Sequence, residues 1–413
     1  MGGENENENM NILYLTMGSV TDINAGGVHT DFLRKFRDEG HNVYLVSPRE
    51  RRMELPTSLK EQDGIRILGV RTLNVTKTNI IEKGMGQVSI ELLFKRAIRK
   101  HFRGVKFDII AYATPPITLV GAIKYVRRQN PQAMTYLTLK DIFPQNAVDL
   151  GMLSKSGLKG FLYRSFRRKE KELYRISDWI GCMSPANVKY VIEHNPEVDP
   201  SKVEVCPNTV DAPKEAKFGK DLEVLKKYML PTDKPIFFYG GNLGKPQGIP
   251  FLIECLEANK RRDDCHFLIV GDGFEFPRIN NWYEDVKPKN VTLLQRLPRD
   301  DYETLARSCD VGLIFLDYRF SIPNFPSRLL SCLTQKKPVL VCTDSNCDAG
   351  SIAAENNFGA WCPSNSVKAF TKAVDCMLGC DLNLMGENGF KFFLKNYTVK
   401  NTYDTIMKHI ASL

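Results

Sequence analysis

The run Tyr239-Gly240-Gly241-Asn242-Leu243-Gly244-Lys245-Pro246-Gln247-Gly248 holds four glycines in ten residues. It follows the apolar segment Ile236-Phe237-Phe238 and precedes a second one, Phe251 to Leu256. Glycines after a strand let the backbone approach a phosphate, and the next helix turns its positive end toward it. Lys245 adds a full charge. The run also fits a tight strand-to-helix turn with no ligand, but it is denser in glycine than such a turn requires.

Other residues could do chemistry. Asp141 follows the apolar run Met134 to Leu139, and a carboxylate at a strand's carboxyl end can orient a hydroxyl or simply cap a loop. His29 follows Ala25-Gly26-Gly27-Val28 at the end of another apolar run, where it is either a polar group at the mouth of a site or structural. Gly271-Asp272-Gly273, with Glu275, follows His266 to Val270 and matches a common turn.

The elements that position these groups follow from hydrophobic pattern. Met10 to Thr16, Val43 to Val46, Phe107 to Tyr112, Met134 to Leu139, Asp178 to Met183 and Val203 to Cys206 are strand-sized. Between the first two, Phe32, Leu33 and Phe36 mark one face of a helix. This is the alternation of a doubly wound sheet. Pro207 to Asp211 is turn-rich and places a hinge near Asn208 to Pro213. The pattern then restarts with strands at 236–239, 266–270, 291–294, 311–316 and 338–341 and a helix over 301–308. The expectation is an α/β chain of two Rossmann-like domains facing across a cleft. A tail covers 1–9, the N-terminal domain 10–208 and the C-terminal domain 209–390. A final helix over 391–413 has a path back to the first domain.

A chain of 413 residues exceeds one ordinary core. With 43% hydrophobic and 25% charged residues it belongs with globular proteins. No apolar run approaches the roughly 18 residues that read as a membrane span. The N-terminus lacks the apolar stretch of a signal peptide, so the 11 cysteines are expected reduced, mostly buried and cytoplasmic. The net charge of +9 permits an anionic partner. Residues 92–106 and 155–175 concentrate basic residues beside apolar ones at helical spacing, either as solvated helix faces or as a docking surface for anionic lipid. They match no nucleic-acid module, and nucleic acid is not expected as a partner.

Taken in order, several segments resemble glycosyltransferase family 4, a retaining family of GT-B fold, over nearly the whole length from Met10. They are Ala25-Gly26-Gly27, Asp141 to Gly151, Pro207 to Asp211, Tyr239 to Gly248, Val270 to Gly273 and Pro326 to Ser331. The likeness is nearest the bacterial fucosamine-transferase branch of O-antigen and capsule synthesis.

This resemblance implies transfer of an N-acetylhexosamine or deoxyhexosamine from a UDP-sugar to a polyprenyl-diphosphate-linked glycan. The enzyme would need no cofactor or metal and would sit peripherally on the inner face of the cytoplasmic membrane. Gly26 and Gly27 would face the donor diphosphate from the first domain; Gly241, Asn242, Lys245 and Gln247 would face it from the second. Gly271 and Glu275 would border the nucleotide, and Arg296 the uracil. The family's paired glutamates are replaced by Pro323 and Ser331. That leaves Asn324, Ser327 as a helix cap, Arg328 as a fork for the diphosphate, and Ser331 for a ribose hydroxyl. Asp141, His29 and Lys245 are the catalytic candidates. The departing phosphate itself can take the acceptor proton. The alternatives are an inactive partner subunit and a nucleic-acid-binding protein. A same-fold epimerase would need the missing glutamates, and a phosphorylase a pyridoxal lysine.

Overall fold

The computed structural model describes residues 9–74, 80–115, 117–213 and 219–410. All but one residue of the expected tail therefore lies outside the described residues. The chain divides into two units, Met1–Asp211 with Tyr397–Leu413, and Ala212–Asn396.

In the first unit the strands are β1 (Asn11–Leu15), β2 (Asn42–Glu50), β3 (Ser58–Gln62), β4 (Ile65–Thr72), β5 (Ile109–Ala113), β6 (Met134–Leu139), β7 (Trp179–Cys182) and β8 (Val203–Val205). The helices are α1 (Val28–Asp38), α2 (Ile80–His101), α3 (Val120–Gln129), α4 (Gln145–Asp149), α5 (Gly157–Ile176) and α6 (Pro185–His194). The strands form one sheet in the order β3-β4-β2-β1-β5-β6-β7-β8. Every pairing is parallel except β3 with β4.

Crossover helices cover both faces, so the central strands are apolar throughout rather than alternating. Ile12, Tyr14, Val43, Leu45, Ile109 and Tyr136 point toward one core with Phe32, Leu33 and Phe36 of α1. Tyr44 meets Phe102 and Phe107 edge-on, at centroid distances of 5.3 and 5.2 Å.

The second unit holds α7 (Leu222–Lys227), β9 (Ile236–Asn242), α8 (Ile249–Asn259), β10 (His266–Asp272), α9 (Phe276–Val286), β11 (Val291–Leu294), α10 (Arg299–Ser308), β12 (Val311–Phe315), α11 (Arg328–Thr334), β13 (Val339–Thr343), α12 (Ala349–Glu355), β14 (Gly359–Pro363), α13 (Val367–Leu378) and α14 (Leu382–Asn396). Its sheet runs β11-β10-β9-β12-β13-β14, all parallel.

The strand order reverses at β1 in one sheet and at β9 in the other. In open α/β sheets such switch points are where ligands bind, beyond the carboxyl ends of the strands.

The structure departs from the sequence reading at several places, and β4 over Ile65–Thr72 is not among the expected strands. β3 is a polar edge strand whose pattern, Ser-Leu-Lys-Glu-Gln, carries no apolar run. β14 starts at a glycine and ends at a proline, which reads as a turn. The C-terminal segment is not a single helix over 391–413. α14 ends at Asn396, and α15 (Val399–Ile410) follows within the first unit. α15 is held there by aromatic packing: Tyr403 lies 5.0 Å from Phe36, and its hydroxyl pairs with His41 Nε2 at 3.0 Å. His409 stacks on Trp179 at 3.5 Å.

Candidate active site

In the first unit, the loop after β1 carries Gly26 and Gly27 and leads into α1. Arg34 braces the loop, donating to the Ile23 carbonyl at 2.6 Å, and pairs with Asp31 at 2.6 Å and Asp211 at 2.9 Å. Thr30 donates to the Ala25 carbonyl at 2.6 Å. A Cβ built on Gly26 meets no atom within 4 Å, so no steric demand among the described residues requires glycine there.

His29 lies behind this loop. Its Nδ1 is 2.9 Å from the Tyr14 hydroxyl and its Nε2 3.4 Å from Thr16 Oγ1. Burial, and after it the charge of Lys140, pushes its pKa down to about 3. A ring held neutral and pinned at both nitrogens is a poor proton carrier near neutral pH. His29 also backs Gly18, where a Cβ would sit 2.7 Å from its Cδ2. The geometry gives it a structural place rather than the catalytic one expected of it.

Asp141 stands just beyond β6, half-buried. Its carboxyl has no hydrogen-bond or ion-pair partner among the described residues, and burial pushes its pKa up to about 6. Lys140, which the sequence reading passed over, is equally half-buried. Its only signal in the sequence is a lysine that directly closes an apolar strand.

In the second unit the glycine run begins inside β9, whose last residues are Gly240, Gly241 and Asn242. Gly241 has φ 120, and a Cβ there would lie 2.6 Å from Arg328 Nη2. Glycine is needed for both reasons. Asn242 Nδ2 donates to Gln247 Oε1 at 3.1 Å, and the Gly244 amide donates to the same oxygen at 3.2 Å. These two residues therefore brace the loop, which turns into α8 through Gly248 at φ 60. Lys245 is exposed, with Nζ 5.8 Å from the Phe274 ring centroid and no ion-pair partner among the described residues.

Gly271 and Gly273 allow close packing against the same loop. A Cβ on Gly271 would meet the Gly241 carbonyl at 2.1 Å, and one on Gly273 the Leu243 carbonyl at 2.5 Å. Glu275 is buried, pairs with Arg278 at 2.9 Å, and donates its amide to the Leu243 carbonyl. Arg296 lies 3.7 Å from Asp272.

Arg328 opens α11, and its guanidinium carbon sits 4.4 Å from the centroid of the Tyr239 ring. It forms no ion pair among the described residues. Asn324 is half-buried in the loop before it. Ser327 does not cap α11: its own φ and ψ, −60 and −22, are already helical, so its side chain is not placed to accept from the first turn. Ser331 spends its proton on the Arg328 carbonyl at 2.8 Å, leaving only acceptor capacity for a ribose hydroxyl. With Gly240, Tyr302 and Lys337 it lines a cavity of 50 Å³, room for water rather than a ribose.

The first unit thus gathers Gly26, Gly27 and His29 at the loop after β1. The second gathers Gly241, Asn242, Lys245, Gln247, Gly271 and Glu275 at the β9 and β10 ends, with Arg328 beside Gly241. Among the described residues no group of three or more His, Cys, Asp or Glu is placed to hold a metal.

The comparisons agree with this organisation. Residues 27–213 match the model described as Glycosyltransferase Family 4, and residues 222–392 match Glycosyl transferases group 1. The chain is 23% identical over 330 residues, 78% of each chain, to a probable glycosyltransferase, WbjE, of Pseudomonas aeruginosa. Among solved structures it is similar to sucrose-phosphate synthase of Thermosynechococcus elongatus, with TM-score 0.73, 15% identity and coverage of 98% of this chain and 100% of that one. It is also similar to HepE of Anabaena in complex with UDP, with TM-score 0.66, 13% identity and coverage of 98% and 100%. An E. coli trehalose-6-phosphate structure bound with UDP-2-fluoro glucose gives TM-score 0.73 at 11% identity, covering 96% and 98%. With a glycosyltransferase model matched in each half and this fold throughout, the chain is a glycosyltransferase enzyme of GT-B fold.

Proposed function

We propose that the chain is a retaining, metal-independent transferase that moves a sugar from a UDP-sugar to a polyprenyl-diphosphate-linked glycan. The observation that carries the donor half is Arg328, without an ion-pair partner among the described residues and held on Tyr239 beside the glycine backbone that ends β9. A planar guanidinium can hold two phosphate oxygens at once, while the glycine backbone admits them closely. In the reaction the bond from C1 to the phosphate oxygen breaks and a bond from C1 to the acceptor oxygen forms. The acceptor proton goes to the departing phosphate, so no protein base is needed. Lys245 and Arg328 stabilise the charge that grows on that phosphate. Asp141 orients a hydroxyl.

UDP is favoured because the similar HepE and E. coli structures hold UDP or a UDP-sugar analogue. An N-acetylhexosamine or deoxyhexosamine, and a role in O-antigen or capsule synthesis, rest on the resemblance to the fucosamine-transferase branch.

The membrane half of the proposal rests on surface chemistry. On α5, Phe161, Arg164, Arg168 and Arg175 share one exposed stripe; on α2, Leu92, Lys95, Arg96 and Arg99 do. Phe161 is 70% exposed and Leu162 45%. An ion pair between Lys169 and Glu91 at 3.4 Å ties the two helices together. Apolar tips among basic residues suit an anionic lipid surface. No helix among the described residues is long and apolar enough to cross a membrane.

Thermal shift against UDP-, GDP- and dTDP-sugars, with and without EDTA, tests the donor. Stabilisation by UDP-sugars alone, indifferent to EDTA, is expected. A purine preference would overturn the UDP assignment, and no shift with any sugar nucleotide would favour an inactive partner subunit.

A further inference from the structure

The first unit contains a cation with no anion to balance it among the described residues. Lys140 follows the last residue of β6, and its amide donates to Thr114 Oγ1 at 3.1 Å. Its ammonium makes no hydrogen bond or ion pair among the described residues, although the side chain is half-buried. The neighbouring Asp141 does not neutralise it. Of the groups near the lysine, Cys206 acts on its charge and Asp141 does not, nor does the lysine act on Asp141.

Among the described residues the groups around Lys140 offer no compensating anion. Its charge is felt by His29 and by the buried Cys206 thiol, and burial raises the Cys206 pKa to about 11. Burial correspondingly pulls the lysine down to about 7. A half-buried ammonium without an acceptor is costly, and a bound anion would relieve that cost. His29 stands two residues after Gly27 and contacts Tyr14 and Thr16 at the end of β1, and the space around Gly26 in the same loop is open.

We propose that Lys140 is the binding residue for a phosphate oxygen of a diphosphate group at the carboxyl end of the first sheet, over the loop that carries Gly26. The diphosphate belongs either to the donor nucleotide or to the acceptor lipid. Only this choice of carrier rests on the reading of the chain as a UDP-sugar transferase; the anion site does not.

Histidine ring resonances test it in the full chain, with His29 assigned by His29→Gln. Inorganic pyrophosphate is the probe. Its binding should move the His29 resonance and raise the ring's pKa, because the anion cancels the charge of Lys140. Lys140→Met should weaken the pyrophosphate effect at His29 by about tenfold to a hundredfold, and should raise the ligand-free His29 pKa. Lys140→Arg should retain binding. Resonances of the other histidines report whether each variant is folded; if Lys140→Met is not, Lys140→Gln takes its place. A His29 signal silent to pyrophosphate overturns the proposal, as does one that responds equally without the lysine charge. UDP and a polyprenyl diphosphate, titrated separately, identify the carrier by which one reproduces the Lys140-dependent shift; a shift with neither overturns the site. If no sugar transfer is found but the pyrophosphate effect depends on Lys140, the anion site stands and the transferase reading fails. If transfer is found without that dependence, the reverse holds.

Discussion

The guanidinium of Arg328 lies 4.4 Å above the ring of Tyr239, with no carboxylate paired to it among the described residues. Tyr239 belongs to β9, the strand at the switch point of its sheet, and Arg328 is the first residue of α11, the helix that follows the neighbouring strand β12. The aromatic ring holds the side chain and the Tyr239 hydroxyl draws on one of its hydrogen-bond donors, while the rest of the guanidinium N–H groups remain for a ligand. Such a contact is worth about 0.5–1 kcal/mol at a partly exposed site. Arg328→Met should therefore cost little stability while weakening UDP binding by about tenfold to a hundredfold. Arg328→Lys should recover less than half of that loss in free energy, because it has no planar fork. Calorimetric titration with UDP checks both. If Arg328→Met binds UDP as well as the parent, Lys245 carries the charge instead.

The two glycine sites should respond differently to a side chain. At Gly241 a Cβ would meet Arg328 and the backbone conformation disfavours it, so Gly241→Ala should lower both the Tm and UDP affinity. At Gly26 nothing lies within 4 Å, so Gly26→Leu should leave the Tm nearly unchanged and raise KM for donor or acceptor. A large fall in Tm for Gly26→Leu would show that the glycine serves the fold.

Asp141 sets a pH dependence. Burial raises its carboxyl to about 6, so it is ionised above that pH and protonated below it. If the carboxylate orients a hydroxyl, kcat/KM should fall about tenfold per pH unit below about 6. Asp141→Asn should lower the rate at pH 8 and abolish that limb. A limb that persists in Asp141→Asn belongs to another group.

Membrane docking should require both apolar and basic side chains. Phe161→Ser with Leu162→Ser should weaken sedimentation with phosphatidylglycerol vesicles without changing the Tm, since both residues are exposed. Arg164→Glu with Arg168→Glu should weaken it further, each basic residue near the surface contributing about 1 kcal/mol. Raised salt should release the parent protein. Binding indifferent to both salt and Phe161 would remove the membrane from the proposal.

Much of this molecule is legible in its sequence because the signals are local. The apolar runs of β1, β6 and β11 lie where hydrophobic pattern places them. The glycine run follows its strand, and the turn-rich Pro207 to Asp211 ends the first unit's continuous part. β3 escaped because a polar edge strand buries too little to leave a pattern, and the single C-terminal helix proved to be two because its break is set by what each half packs against.

What the sequence alone determined is therefore the fold class, the two-part organisation and the presence of a glycine-rich loop after a strand, all properties of short segments and their periodicity. Tertiary structure decided which of these become a site. Strand order put the glycine loops of β1 and β9 at the switch points of their sheets. Long-range packing set Arg328 on Tyr239 and enclosed His29 until it was neutral. It also left the Lys140 ammonium half-buried without a partner among the described residues. Pairing, burial and charge compensation depend on residues distant along the chain, and no local pattern records them.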